Sequence, residues 1–173
     1  LNQTSAVVVG RHGTILKTTN SGNEWLLKNS GTSNHLNAVS FRDDQNGIAV
    51  GDGVICRTSD GGDSWSATIV SDDLISLAYR NPYSVGLPVL LGCDNGKLLY
   101  SNDDGNSWND TLIYYGSPVI AVGLNYESTS QLYPIAYAAT TYRTAVNFSF
   151  PSNEWNFYEN PYISFWDYLT GQR

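Results

Sequence analysis

The chain repeats itself with a period of about 41 residues, and this repeat limits the possible folds more than any other feature. Glycines that end short apolar runs stand at positions 10, 51 and 92, and tryptophans stand at 25, 65 and 108. Each period holds short apolar segments separated by turns rich in Gly, Asn and Asp, which indicates strands. Four strands in about 41 residues are typical of one blade of a β-propeller.

The strand pattern predicts an all-β fold, a propeller of about four four-stranded blades. Matching apolar runs lie at 7–9 and 89–91 and, further along each unit, at 36–41, 74–79 and 119–124. A fourth, less regular unit has runs at 135–139 and 143–150 and then Trp155. The predicted repeat units of this single propeller domain or fragment are about 1–33, 34–72, 73–116 and 117–160, with 161–173 as a closing strand or the start of a further blade.

Two arrangements of the blades remain open at this point. The chain begins at the second strand of a blade, and residues 162–166 resemble a first strand, so the two ends pair in a closed ring of four blades. Four units of about 41 residues give about 164, close to the 173 residues present. In the alternative arrangement the chain is an arc of a larger propeller. The start in the middle of a blade and the absence of Met favour this arrangement.

Three polar segments, which we call corners, precede the repeated tryptophans. They read Ser/Thr-x-Asp/Asn-x-Gly-x-x-Trp in phase with the glycine period. An Asp or Asn side chain accepts hydrogen bonds from nearby backbone N–H groups, a Gly adopts a left-handed conformation, and the Trp covers the corner and packs between sheets. The predicted structural residues are Thr18, Asn20, Gly22, Trp25, Thr58, Asp60, Gly62, Trp65, Ser101, Asp103, Gly105 and Trp108.

These corners resemble the Asp-box, or bacterial neuraminidase repeat, over about residues 7–108. Within Asp-box proteins, the segments 9–19 and 28–41 are most similar to the photosystem II stability/assembly-factor propeller family. The resemblance implies a non-enzymatic module that binds or scaffolds a larger protein complex, in an exported, extracellular or organelle-lumenal location. It also implies docking through arginines, for which the candidates here are Arg11, Arg42, Arg57 and Arg80.

Composition excludes several classes of partner. The formal net charge is −7, so the chain lacks the basic surface that a nucleic-acid backbone requires. No apolar run approaches the roughly 20 residues of a membrane-spanning helix. His12 and His35 stand in predicted loops without zinc-ligand spacing, and the acidic pairs at 43–44, 72–73 and 103–104 lack the spacing of a calcium loop. We therefore expect no metal and no cofactor.

An enzymatic function is the main alternative, since sialidases and xyloglucan-cleaving hydrolases share the Asp-box. Asp60 and Asp103 are candidates for a catalytic pair of carboxylates, but the corner motif explains both as turn residues. A sialidase-like set of converging arginines with a Tyr nucleophile is not recognisable. The sequence therefore predicts no enzyme, with a glycan-processing or glycan-binding propeller, or a structural subunit of an extracellular assembly, as alternatives.

Two further features suggest sites. Cys56 lies in the third strand of one unit and Cys93 near the second strand of the next, so neighbouring blades allow a disulfide between them. After residue 113 stand 15 of the 22 aromatic residues. They either fill blade interfaces or form a docking surface for a protein. The candidate partner-binding residues are Trp155, Phe157, Tyr158, Tyr162, Phe165, Trp166 and Tyr168.

Overall fold

A computed structural model describes residues 4–79, 89–113, 115–125, 135–140, 145–149 and 158–159. Its strands form four antiparallel sheets that follow one another along the chain. Among the described residues the first sheet has three strands, β1 (Ala6–Val9), β2 (Ile15–Thr18) and β3 (Leu26–Lys28), with a short 3₁₀ turn at Arg11–Gly13 between β1 and β2. These strands match the second, third and fourth strands of the other sheets.

The other three sheets have four strands each, joined in sequence order. The second sheet contains β4 (Leu36–Phe41), β5 (Gly47–Gly51), β6 (Val54–Thr58) and β7 (Ser66–Ile69). The third contains β8 (Leu74–Ala78), β9 (Val89–Cys93), β10 (Lys97–Ser101) and β11 (Asn109–Leu112). The fourth contains β12 (Val119–Asn125), β13 (Ile135–Thr140), β14 (Ala145–Ser149) and β15 (Tyr158–Glu159). The predicted four-stranded repeat is therefore confirmed, including in the less regular fourth unit.

The hydrophobic core lies between the sheets, one cluster to each junction. Ile15 of the first sheet packs with Ala49, Cys56 and Trp65 of the second. At the next junction, Ile48, Val50 and Ile55 meet Leu91 and Leu99 of the third sheet. At the last, Leu90 and Leu98 meet Val119 and Ala138 of the fourth. Because both faces of an interior sheet are covered, β5 and β9 read as continuous apolar runs rather than alternating ones.

The repeated glycine has a steric reason at Gly51. A Cβ atom there would lie 1.8 Å from the carbonyl oxygen of His35, where the pairing of β4 with β5 is interrupted by a register shift. Only a residue without a side chain fits so close to that backbone.

The predicted disulfide is wrong in this structure. Cys56 and Cys93 are both free thiols with no exposed surface. They belong to different core clusters, Cys56 at the junction of the first two sheets and Cys93 at the following one. The two side chains pack on opposite sides of the second sheet.

Candidate functional site

The hydroxyl group of each corner organises the turn between the third and fourth strands. Thr58 Oγ1 accepts a hydrogen bond from the backbone N–H of Gly62 at 2.9 Å and donates to Asp60 Oδ1 at 2.7 Å. Thr18 and Ser101 make the same bonds in the other two corners. Sequence reasoning assigned the backbone contacts to the Asp or Asn alone. The signal for the hydroxyl was its invariant place two residues before that side chain.

The carboxylate or amide of each corner accepts hydrogen bonds from the backbone N–H groups that follow in the turn. Asp60 Oδ1 accepts hydrogen bonds from the backbone N–H groups of Asp63 and Ser64, both at 3.0 Å. Hydrogen bonds from Ser107 lower the pKa of Asp103 to about 2, and those from Ser64 also lower the pKa of Asp60. Both carboxylates are therefore ionised acceptors within their own turns, which leaves neither arranged as a proton donor.

Two successive left-handed residues complete every corner. The glycines Gly22, Gly62 and Gly105 have φ of 85°, 89° and 81°, as the motif predicts. The residue before each glycine is also left-handed, and at Ser21 and Asp104 this residue is not a glycine. Such a conformation is costly for an ordinary side chain, so the hydrogen bonds of the turn hold it in place.

The three tryptophans differ in burial although they occupy one motif position. Trp65 is 9% exposed, packs edge-on to Phe41 and donates from Nε1 to the carbonyl of Gly62. Trp108 packs against the cluster between the second and third sheets. Trp25 is 41% exposed, because none of the described sheets covers that side of the first sheet.

Charged side chains of one sheet hold the corner of the next. Asp63 accepts hydrogen bonds from Lys17 at 2.9 Å and Lys28 at 2.8 Å, both on the first sheet. Arg57 on the second sheet donates to the carbonyls of Asp104 and Gly105 in the third corner, at 2.6 and 2.9 Å. Lys17 and Arg57 both stand directly before the corner hydroxyl residue, a regularity that sequence reasoning did not use.

A cleft of about 380 Å³ opens at the corner side of the second and third sheets. Arg42 donates there to Asp43 at 3.1 Å and to Asp104 at 2.5 Å, and the hydrogen bond to Asp104 raises the pKa of Arg42. Tyr79 forms part of the wall, and burial raises the pKa of its hydroxyl. The cleft lining consists of Arg42, Asn46, Gly47, Arg57, Thr58, Ser59, Ser66, Tyr79 and Asp104.

The structure brings two of the four candidate arginines together. Arg42 and Arg57 both line the cleft, whereas Arg11 lies exposed in the 3₁₀ turn of the first sheet. Arg80 lies outside the described residues. The two guanidinium groups have different partners, since Arg42 is paired with the carboxylates of Asp43 and Asp104 whereas Arg57 donates to the backbone carbonyls of Asp104 and Gly105.

The two histidines, both predicted to lie in loops, are in contact. His35 Nδ1 accepts a hydrogen bond from the backbone N–H of His12 at 3.0 Å, and the two rings meet edge to face. In the part of the chain that the structure describes, no three His, Cys, Asp or Glu side chains form a group able to hold a metal ion.

The aromatic C-terminal segment lies almost entirely outside the described residues. This holds for Trp155, Phe157, Tyr162, Phe165, Trp166 and Tyr168. Tyr158 is described only as part of β15, where it pairs with Asn147. Among the described residues, no helix is long and apolar enough to cross a membrane.

Comparison with known proteins identifies relatives by structure and not by sequence. No protein-family model and no curated protein matches the chain. A solved structure of YCF48 bound to D1 peptide matches with a TM-score of 0.61 and 17% identity over 92% of this chain and 52% of that one. YCF48 from Cyanidioschyzon merolae matches with a TM-score of 0.64 and 15% identity over 95% of this chain and 55% of that one.

A third match is the crystal structure of an ancestral GH74 enzyme, with a TM-score of 0.67 and 13% identity over 83% of this chain and 21% of that one. Together with the four successive antiparallel sheets, these similarities decide the architecture. The fold is a β-propeller. The chain spans about half the length of the two YCF48 structures, and at these identities the similarity concerns the fold alone.

Proposed function

We propose that this propeller is a non-enzymatic binding and assembly module that docks on a protein complex, and that it acts in an exported or organelle-lumenal compartment. Its blades are Asp-box repeats of the photosystem II stability/assembly-factor type. The observation that carries the proposal is the cleft at the second and third sheets, which is lined by Arg42, Arg57 and Tyr79. The YCF48 structure that contains a D1 peptide supports a polypeptide as the ligand.

The construction of the cleft suits recognition of a polypeptide. Arg57 is anchored through its terminal nitrogens to the third corner, and Arg42 is held by Asp43 and Asp104, so neither side chain loses much freedom when a ligand binds. Guanidinium groups and a tyrosine wall offer donors and a flat apolar surface to a peptide chain. The aromatic residues from Trp155 to Tyr168 remain our second candidate for the docking surface.

The D1 peptide is the direct probe. We expect saturable binding of fluorescently labelled D1 peptide to the purified chain, measured by anisotropy. Ser59→Asp places a carboxylate at an exposed position of the cleft and is expected to weaken binding roughly tenfold, because the new side chain occupies space and competes for the arginine donors. Thr19→Asp is the matched control, because Thr19 is exposed at the same position of the first corner, away from the cleft.

The outcomes separate the two candidate surfaces. Equal binding by the Ser59→Asp and Thr19→Asp variants, with loss in Trp166→Ser, would place docking on the aromatic segment and overturn the cleft. A chain that folds but shows no saturable binding of the peptide would contradict the proposed function itself.

A further inference from the structure

The turn between β9 and β10 contains one of the two Asn-Gly pairs of the chain, Asn95-Gly96, and the other pair is Asn46-Gly47. An Asn that precedes a Gly is especially prone to lose its side-chain amide, because no Cβ on the Gly keeps the backbone nitrogen of that residue away from the Asn Cγ atom. In a folded chain the reaction also depends on the conformation that holds the pair. The two pairs differ in that conformation.

The conformation at Asn95 favours the reaction. Asn95 is exposed, and its Oδ1 accepts a hydrogen bond from the backbone N–H of Lys97 at 3.1 Å. This Asx turn folds the side chain back over the following backbone, which brings Cγ toward the nitrogen of Gly96. The N–H of Gly96 is weakly engaged, at 3.5 Å from the carbonyl oxygen of Cys93. The attacking and the attacked atoms are therefore close together at the surface.

The conformation at Asn46 opposes the reaction. Gly47 is the first residue of β5 and is paired on both sides, with Phe41 of β4 and Thr58 of β6. The ring of Phe41 fills the space beside Gly47, where an added Cβ would lie 2.6 Å from the ring. The side-chain amide of Asn46 donates to both carboxylate oxygens of Asp43, at 3.0 and 2.9 Å. A reaction at this pair requires part of the second sheet to open.

We propose that Asn95 is a site of spontaneous deamidation in the folded chain and that Asn46 is protected. The backbone nitrogen of Gly96 bonds to Cγ of Asn95, and the bond from Cγ to the side-chain nitrogen breaks. Ammonia leaves with the proton that the Gly96 nitrogen gives up through solvent. Water then opens the cyclic imide and leaves aspartate or isoaspartate at position 95. One amide is exchanged for one carboxylate, so the chain gains a negative charge.

The new carboxylate faces a carboxylate that is already present. Asn95 Nδ2 donates to Asp72 Oδ1 at 2.7 Å, and Lys97 Nζ donates to the same oxygen at 3.0 Å. The side chain of Asp72 is only 13% exposed, so water and salt screen the repulsion poorly. Deamidation therefore replaces a donor by a like charge and breaks the hydrogen bond between this turn and the loop before β8.

Peptide mapping by mass spectrometry tests the site. Trypsin places Asn46 on the peptide 43–57 and Asn95 on the peptide 81–97. After incubation of the folded chain in mildly alkaline buffer, we expect 81–97 to gain the mass of an amide-to-acid exchange at least about tenfold faster than 43–57, because only Asn46 waits for a sheet to open. In denaturant the two rates should converge, and a sample digested without incubation corrects for reaction during digestion. No gain at 81–97, equal rates in the folded chain, or a faster reaction at Asn46 would overturn the proposal.

A set of variants tests the consequence for the fold. Asn95→Asp copies one product, and we expect its melting temperature to fall a few degrees below that of the unmodified chain. In an Asp72→Asn background the same substitution again sets a donor against an acceptor, so its loss should be smaller. Asn102→Asp is the matched control, because it adds the same charge at an exposed position of the same sheet. An equal loss in both backgrounds, or a loss no larger than that of the control, would contradict the contact between like charges.

Discussion

At the scale of single residues, two side chains of each corner divide the backbone hydrogen bonds that the sequence motif attributes to the Asp or Asn alone. The hydroxyl of Thr18, Thr58 or Ser101 binds the glycine N–H, and the neighbouring Asp or Asn binds the N–H groups three or four residues on. Asn20 accepts from Glu24 N–H at 2.9 Å, as Asp103 accepts from Ser107 N–H at 2.8 Å. The uncharged amide oxygen of Asn20 thus accepts the same backbone hydrogen bond as the carboxylate of Asp103. The carboxylate forms a stronger hydrogen bond only while it is ionised.

The substitution Asp103→Asn tests the charge separately from the geometry. The folded pKa of Asp103, about 2, lies below its ordinary 3.8. A depressed pKa stabilises the fold fully above pH 4, and this stabilisation is lost as the pH falls toward 2. We expect the variant to melt below the unmodified chain at pH 6, and the gap to narrow as the pH approaches 2. Thermal melts followed by circular dichroism measure this gap.

Asn20→Asp supplies the converse comparison. It introduces a carboxylate where the first corner uses an amide, so its melting temperature should depend more steeply on pH than that of the unmodified chain. A gap between Asp103→Asn and the unmodified chain that is constant from pH 6 to pH 2 would contradict the assigned role of the charge.

At the scale of elements, each corner is both a turn and part of a sheet junction. Gly105 has a φ of 81°, and a Cβ there would lie 3.0 Å from Trp108 and 3.3 Å from Ile48 of the preceding sheet. Arg57 reaches the same corner from that sheet. The corner repeats at two junctions in its contacts between sheets, through Lys17 and Arg57, as well as in its internal bonds.

The substitution Gly105→Ala tests this double role. Backbone strain and the contacts with Trp108 and Ile48 are expected to lower the free energy of unfolding by about 1–3 kcal/mol. Gly10→Ala is the control, because Gly10 has an extended φ of −170° and no atom within 4 Å of an added Cβ. Urea denaturation measures both variants. Equal stability of the two would show that the corner tolerates a side chain.

Sequence reasoning reached the elements because their causes are local. Apolar runs and turn residues lie within a few positions of one another, so the strands at 36–41 and 74–78 and the left-handed glycines were predictable. The hydrogen bonds from Lys17 to Asp63 and from Arg57 to the third corner were not predicted, because the two residues of each bond lie 46 and 47 positions apart in the sequence. The cleft could not be predicted for the same reason, because it joins Arg42 and Tyr79 across two sheets.

At the scale of the whole molecule, the sheets bury their two cysteines on separate sides of one layer. Burial raises the pKa of Cys56 to about 11 and that of Cys93 to about 12. Thiolate, the reactive form, is therefore scarce at neutral pH, and neither sulfur is accessible. These cysteines act as small apolar core residues.

Thiol labelling reports the integrity of the whole propeller. We expect neither cysteine to react with a chromogenic disulfide reagent in the folded chain, and two equivalents to react in denaturant. Reductant should leave the melting temperature unchanged, because no bond is there to reduce. Fewer than two equivalents in denaturant, restored by reductant, would reinstate the disulfide.

The sequence by itself determined the repeat, the strands, the corners and the propeller, because each follows from spacing and from chemistry within about 41 residues. Only the tertiary structure decided which residues of neighbouring units contact one another. It separated Cys56 from Cys93, gathered Arg42 and Arg57 in one cleft, and left Trp25 exposed where Trp65 is buried. The three tryptophans have one motif but different neighbours, and burial depends on which sheet stands opposite, a relation that no single repeat contains.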